Sequence, residues 1–391
     1  MKFDFDKVVD RHGTKCLKYD FAKERGRSDD MLPLWVADMD FQTAPGIQKS
    51  LSDAVAHGIY GYSEGKDDYF QAAAGWYEKH FGWKVEKEWL IKTPGVVFAL
   101  AMAVKAYTKE GDAVLLQQPV YYPFSEVITD NHRRLINSPL QQIDGHYEIN
   151  FEEFEQKIVE ENVKLFLMCS PHNPVGRVWK EWELRKIGDI CLKHNVLVVS
   201  DEIHSDFTYG ENIHHVFASL DEKYAAITTT CTAPSKTFNI AGLQISNIWI
   251  SNPELRARFR AEVTAAGYSQ VNLMGLVACQ AAYETGEEWL KELKIYLEGN
   301  LDYVRTFLKE NLPEIKLTEP EGTYLLWLDF KSLGMKEEQL KDLVENKAKL
   351  WLDSGAMFGP DREGFERINI ACPREILKQA LTQLAESVHD R

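Results

Sequence analysis

The sequence predicts an α/β chain: a mostly parallel sheet covered on both faces by helices, followed by a smaller α+β domain. Three observations predict it. Short apolar runs alternate with amphipathic stretches between about residues 93 and 252, the pattern becomes purely helical after Asn252, and a strand–helix–strand–helix tail closes the chain.

Val96 to Lys109 has helical spacing, Ala113 to Leu116 is a short apolar strand, and Phe151 to Glu160 is again a helix. Leu165 to Cys169 reads as a strand and Lys180 to His194 as a helix. The β-branched runs Val196 to Ser200, Ala226 to Cys231 and Gln244 to Ile250 read as further strands. Pro253 to Gly267 and Asn272 to Gly286 are helical in period, and Glu287 to Asn311 forms a long amphipathic helix; together they suggest a spacer between domains. Thr323 to Asp329 and Arg367 to Ala371 are predicted strands, alternating with helices at Lys336 to Lys347 and Pro373 to His389. The first forty residues are aromatic-rich and weakly periodic, which suits packing across the domain junction. The boundaries expected are 1–45 for an N-terminal segment packing with the small domain, 46–286 for the large domain and 287–391 for the small one.

Composition narrows the function. The 391 residues are 45% hydrophobic and 27% charged, which excludes disordered and fibrous classes. Lys and Arg number 45 against 60 Asp and Glu, a net charge of −15, so nucleic acid or an anionic membrane would be repelled. The apolar run Val96 to Val104 ends at Lys105, short of the roughly 20 residues that span a bilayer. Met1 to Asp10 has no signal-peptide pattern, and the six cysteines are scattered without a CxxC pair. A cytoplasmic chain with free thiols is expected. Phosphate-binding GxxxxGK[ST] and GxGxxG loops are absent, as are HExxH, GxSxG and EF-hand loops, so no metal is expected.

Polar residues gather instead at the C-terminal ends of predicted strands, where open α/β sheets bind ligands. Leu165 to Cys169 leads into Ser170-Pro171-His172-Asn173-Pro174, Val196 to Ser200 into Asp201-Glu202-Ile203-His204, and Thr228 to Cys231 into Pro234-Ser235-Lys236-Thr237. Singly these are a turn, a helix cap and a surface lysine. Together they suit pyridoxal phosphate, which needs a lysine to condense with its aldehyde and an acid beside its pyridine nitrogen. Lys236 and Asp201 supply these, and Asn173 can donate to the phenolic oxygen. Thr93-Pro94-Gly95-Val96-Val97 opens a helix, so free N–H groups at Gly95, Val96 and Val97 can receive the phosphate. Tyr121, beside Tyr122, offers a ring to stack on the cofactor.

With these residues in place, the sequence resembles the fold-type I pyridoxal-phosphate enzymes of the class I/II aminotransferase-like family. Within that family it is most similar to the MalY/PatB-type carbon–sulfur β-lyases, the cystathionine β-lyase-like branch. The narrower resemblance rests on four segments: Leu34-Trp35-Val36-Ala37-Asp38-Met39-Asp40-Phe41, Asp201 to Asp206, Ser235 to Leu243, and Arg367-Ile368-Asn369-Ile370-Ala371-Cys372-Pro373. It implies an aspartate aminotransferase-like fold, with a mostly parallel seven-stranded sheet in the large domain.

It also implies Lys236 as the catalytic, cofactor-bonding lysine, Asp201 as the pyridine partner and Asn173 as the phenolate donor. Arg367 becomes the clamp for the substrate α-carboxylate and Ala37 a backbone donor to the same group. Tyr62, with Tyr60 as an alternative, would reach the phosphate of a neighbouring subunit, which implies a homodimer. His204 stands where many aminotransferases carry tyrosine, and Gln244 where many carry a phosphate-binding arginine. The phosphate is then left to backbone amides, Thr232 or Ser235, and the partner tyrosine. The implied reaction is α,β-elimination of cystathionine or a cysteine S-conjugate to thiol, pyruvate and ammonia. An aminotransferase and a cofactor-binding regulatory protein are the competing readings.

Overall fold

The computed structural model describes residues 2–390; residues 1 and 391, the outer ends of the predicted first and last segments, lie outside them. The main sheet has seven strands: Leu90–Thr93 (β1), Ala113–Leu116 (β2), Arg134–Asn137 (β3), Val163–Cys169 (β4), Leu197–Asp201 (β5), Thr228–Thr232 (β6) and Ser246–Trp249 (β7). Their order is β1-β7-β6-β5-β4-β2-β3. Strands β3, β2, β4, β5 and β6 pair in parallel, whereas β7 runs antiparallel to β6 and β1. Only two short turns of helix, Pro234–Thr237 and Ala241–Leu243, separate β6 from β7, so the chain returns directly instead of crossing over the sheet.

Burial explains why the central strands read as unbroken apolar runs. All four residues of β2 are buried, as are six of seven in β4, because helices cover both faces. The threonine-rich β6 is buried too, and three of its hydroxyls are bonded there: Thr228 to the Tyr224 carbonyl, Thr229 to the Tyr107 hydroxyl and Thr232 to the Asn247 carbonyl, while Thr230 Oγ1 has no partner among the described residues. Strands β1 and β3 lie at the sheet edges. Each contains too short an apolar pattern to announce itself, and neither is anticipated from sequence.

The predicted spacer divides differently. Pro253–Ala265 places Leu255, Phe259 and Val263 against helix Val96–Tyr107, and Leu273–Thr285 packs on helices Pro45–His57 and Asp67–Phe81. Both therefore cover the large domain. Only Glu287–Asn311 continues to the small domain, where it packs on the closing helix Arg374–His389. There, Lys316–Thr318 (β8), Leu325–Asp329 (β9), Asp353–Ser354 (β10) and Phe365–Asn369 (β11) form an antiparallel sheet in the order β8-β9-β11-β10. The helix expected at Lys336 to Lys347 is α-helical only over Glu337–Lys341. It then widens to a π-turn that buries both Leu343 and Val344.

The N-terminal segment is stitched to this small domain. Leu32–Pro33 pairs in parallel with Leu350–Trp351, Trp35 stacks on Trp351 at 4.5 Å, and the Leu34 carbonyl accepts from the Asn369 amide at 2.9 Å. Among the described residues no helix is long and apolar enough to cross a membrane.

Candidate active site

Register places the three predicted strand ends side by side. Asp201, the last residue of β5, lies opposite Cys169 at the end of β4 and Cys231 near the end of β6. The loops leaving these strands carry Asn173 and Lys236 to the same C-terminal end of the sheet, and β11 brings Arg367 to it from the small domain.

Lys236 sits on the one-turn helix after β6, and its Nζ donates to the Ala37 carbonyl at 2.8 Å. Burial pulls this amine down to about 8, opposed mainly by the negative charge of Asp38. Burial also pushes the Asp201 carboxyl up to about 7. Its one hydrogen-bond donor is the Ile203 amide, at 3.1 Å. A buried carboxylate so placed suits a cationic ligand N–H, because a charge partner would offset its desolvation.

The Asn173 amide is oriented by its neighbour. Arg367 Nη1 donates to Asn173 Oδ1 at 3.0 Å, and a guanidinium only donates, so Nδ2 is turned away as a donor for a ligand. The Tyr121 amide donates to the Asn173 carbonyl at 3.0 Å, which fixes the Tyr121 ring beside the same turn. Arg367 is 2% exposed. Its Nη2 donates to the Trp35 carbonyl at 2.8 Å and to the Asp353 carboxylate, while its Nε has no partner. His204 is buried with Nδ1 unpartnered. Burial, then the positive charges of Lys236 and Arg367, depress it to about 3, so its imidazole is neutral.

The helix Val96–Tyr107 begins at Gly95, whose φ of 141° only glycine adopts readily. The first N–H groups of that helix have no intrahelical acceptor and present an anion site beside the strand ends. Val96 is buried and Val97 is exposed. The two candidate hydroxyls differ. Thr232 Oγ1 donates to the Asn247 carbonyl at 2.8 Å and accepts from Trp249 Nε1 at 3.0 Å, so internal bonds occupy it. Ser235 Oγ makes only a 3.5 Å contact with the Ile245 carbonyl and is the more available. Tyr62 is 95% exposed, and it lines a surface cavity of about 830 Å³ with Tyr60, Pro94 and Gln244, beside the turn that carries Gly95.

These residues fit pyridoxal phosphate: an amine of lowered basicity, a buried carboxylate with no cation in contact, an oriented amide donor and a glycine-started helix. The structure adds contacts that spacing does not reveal. Tyr324, whose hydroxyl donates to the Ala37 carbonyl at 3.0 Å from 287 positions away, packs edge-on against His204. Asp353 balances Arg367. Asp38 is held by Arg11 at 2.7 Å, while Asp40 pairs with Arg11 and with the buried Lys18, each at 2.8 Å, and this network anchors Ala37 over Lys236.

The chain is similar to known proteins over nearly its full length. The model of the family "Aminotransferase class I and II" matches residues 30–384. The chain is 43% identical to the cystathionine beta-lyase PatB of Bacillus subtilis over 97% of this chain and 98% of that one. Among solved structures, it is similar to cystalysin from Treponema denticola, which contains a pyridoxal 5'-phosphate cofactor, with a TM-score of 0.96 and 38% identity over all of both chains. It is also similar to the pyridoxal-phosphate-bound C–S lyase of Staphylococcus hominis complexed with L-cycloserine, with a TM-score of 0.93 and 34% identity over all of both chains.

Proposed function

The chain belongs to the aminotransferase class I and II family and is a pyridoxal-phosphate-dependent carbon–sulfur β-lyase; from that premise we propose how its residues divide the work. The bound cofactor supplies an electron sink for the pair left when the substrate Cα loses its proton. Lys236 would anchor the cofactor, and its amine would take the Cα proton as general base. Its amine near 8 is matched to that transfer near neutral pH. Asp201 keeps a proton on the pyridine nitrogen. Asn173 donates to the phenolic oxygen, and Tyr121 covers the ring.

Arg367 offers its unpartnered Nε edge to the α-carboxylate, with the Ala37 N–H beside it. His204, neutral between two cations, adds no repelling charge. Gly95, Val96, Val97 and Ser235 hold the phosphate, with Thr232 supporting the sheet beneath them. The observation that carries this reading is the meeting of Asn173, Asp201, Lys236 and Arg367 at the C-terminal ends of the central strands. The holoenzyme given L-cystathionine is expected to release thiol and pyruvate without added keto acid. Amino transfer that depends on a keto acid and releases no thiol would overturn the reading.

We place the enzyme in the cytoplasm, in keeping with six unpaired cysteines. We further propose that it works as a homodimer, with Tyr62 donating to the phosphate in the neighbouring subunit; its near-complete exposure beside Pro94 supports this. Tyr62→Phe is expected to weaken cofactor binding about tenfold, as for one hydrogen bond to a charged group, read by equilibrium dialysis. Sedimentation of the wild type as a fully active monomer would exclude this arrangement.

A further inference from the structure

We propose that Asp206 is a positioning residue for Lys236, acting through the hydroxyl of Thr237; the inference rests on the lyase reading and deepens it. The helix Pro234–Thr237 is only four residues long, with the Phe238 amide returning to the Pro234 carbonyl at 2.9 Å. One turn holds its own shape poorly, so its orientation depends on outside contacts.

Those contacts come from two sides. On one side Asn239, at a φ of 54°, accepts from the Met39 amide at 2.9 Å and donates to the Met39 and Phe41 carbonyls at 2.9 and 2.8 Å, which ties the turn to the N-terminal segment. On the other side Thr237 Oγ1 donates to Asp206 Oδ2 at 2.6 Å, and Trp76 Nε1 donates to Asp206 Oδ1 at 3.1 Å. Thr237 follows Lys236 directly. Loss of its bond would therefore free the backbone that aims the amine.

Asp206 is 8% exposed, and both of its hydrogen-bond donors are neutral. Among the described residues no Lys, Arg or His nitrogen lies within ion-pair distance of its carboxylate; His80 and Lys294 act on it only at longer range. Its outer face meets a cavity of about 540 Å³ lined by His80, Phe81, Ile213, Leu290 and Lys294. Burial without a contacting cation pushes the Asp206 carboxyl up, and its short 2.6 Å bond ties it to the residue beside Lys236. Trp76 in turn fixes Asp206 against the helix Asp67–Phe81. The chain runs from that helix through Asp206 and Thr237 to the reacting amine.

Thr237→Val keeps the side-chain shape and removes the donor, while Thr237→Ser restores a hydroxyl. The valine variant is expected to lower kcat with L-cystathionine about tenfold, with KM little changed, because small displacements of a reacting group are costly to rate. It is also expected to slow capture of pyridoxal phosphate by the apoprotein, followed by visible absorbance, by about the same factor. The serine variant should recover both to within about threefold, with melting temperatures close to wild type in both variants. Valine indistinguishable from wild type in kcat and in capture would overturn the proposal. So would equal losses in valine and serine accompanied by a lower melting temperature, since that marks packing alone. Capture does not depend on the substrate, so an error in the substrate assignment and an error in this inference give different results.

Discussion

Lys236→Ala is expected to lower thiol and pyruvate release by about 10³-fold or more, since one substitution removes both the covalent anchor and the general base. In the cofactor-free protein the same change should leave the unfolding midpoint unchanged or raise it. Burial disfavours the charged amine, and the Ala37 carbonyl that loses Nζ keeps the Tyr324 hydroxyl as a donor. The variant therefore separates chemistry from folding: activity collapses while a urea titration does not move downward. An added small primary amine should restore part of the proton transfer, whereas a variant that lost activity by misfolding would not respond.

Arg367 carries the second large effect, and two substitutions divide it. Arg367→Lys keeps a cation for Asp353 but offers a point charge where the guanidinium offers a planar fork, so kcat/KM should fall about 100-fold, chiefly through KM. Arg367→Ala should lose at least as much activity and also about 3–5 kcal/mol of stability near pH 8, because it leaves the Asp353 carboxylate buried without its partner. That carboxyl is already raised by burial, and without Arg367 its folded-state value rises further above the unfolded one. Its protonated form then favours the folded chain, so the stability of the variant is greater at pH 5 and is lost as pH climbs. Urea midpoints measured at both pH values read this directly. A midpoint that falls equally at both would show that Asp353 does not depend on Arg367.

Much of the site was legible because its residues lie at strand ends and in turns. Asp201 ends a run of β-branched residues, Asn173 follows a strand into a proline turn, and Lys236 sits in a small-residue loop; each position is local and carries its own signal. Gly95 was legible too, as a glycine opening an apolar helix. Thr232 shows the limit of such reading. It lies in the expected loop region, yet its hydroxyl is occupied by the Asn247 carbonyl and Trp249 Nε1, partners that only sheet pairing brings near. The edge strands β1 and β3 escaped because four residues with few apolar positions carry little periodicity. The helices at Pro253–Ala265 and Leu273–Thr285 fall within the expected large-domain bounds of 46–286, but their periodicity reports only that each has a buried face, not which surface buries it.

The sequence by itself determined the alternation of strands and helices, the acidic composition, and the lysine, aspartate and asparagine at strand ends that suit one cofactor, because these follow from local patterns and side-chain chemistry; Arg367 was singled out only through the family resemblance. Tertiary structure alone decided which carbonyl receives Lys236, which way the Asn173 amide faces, and that Asp353, Tyr324 and Asp206 stand behind the reacting groups. Those contacts join segments up to 287 positions apart. Their energies depend on burial and on distances of a few ångströms, which no pattern along the chain encodes.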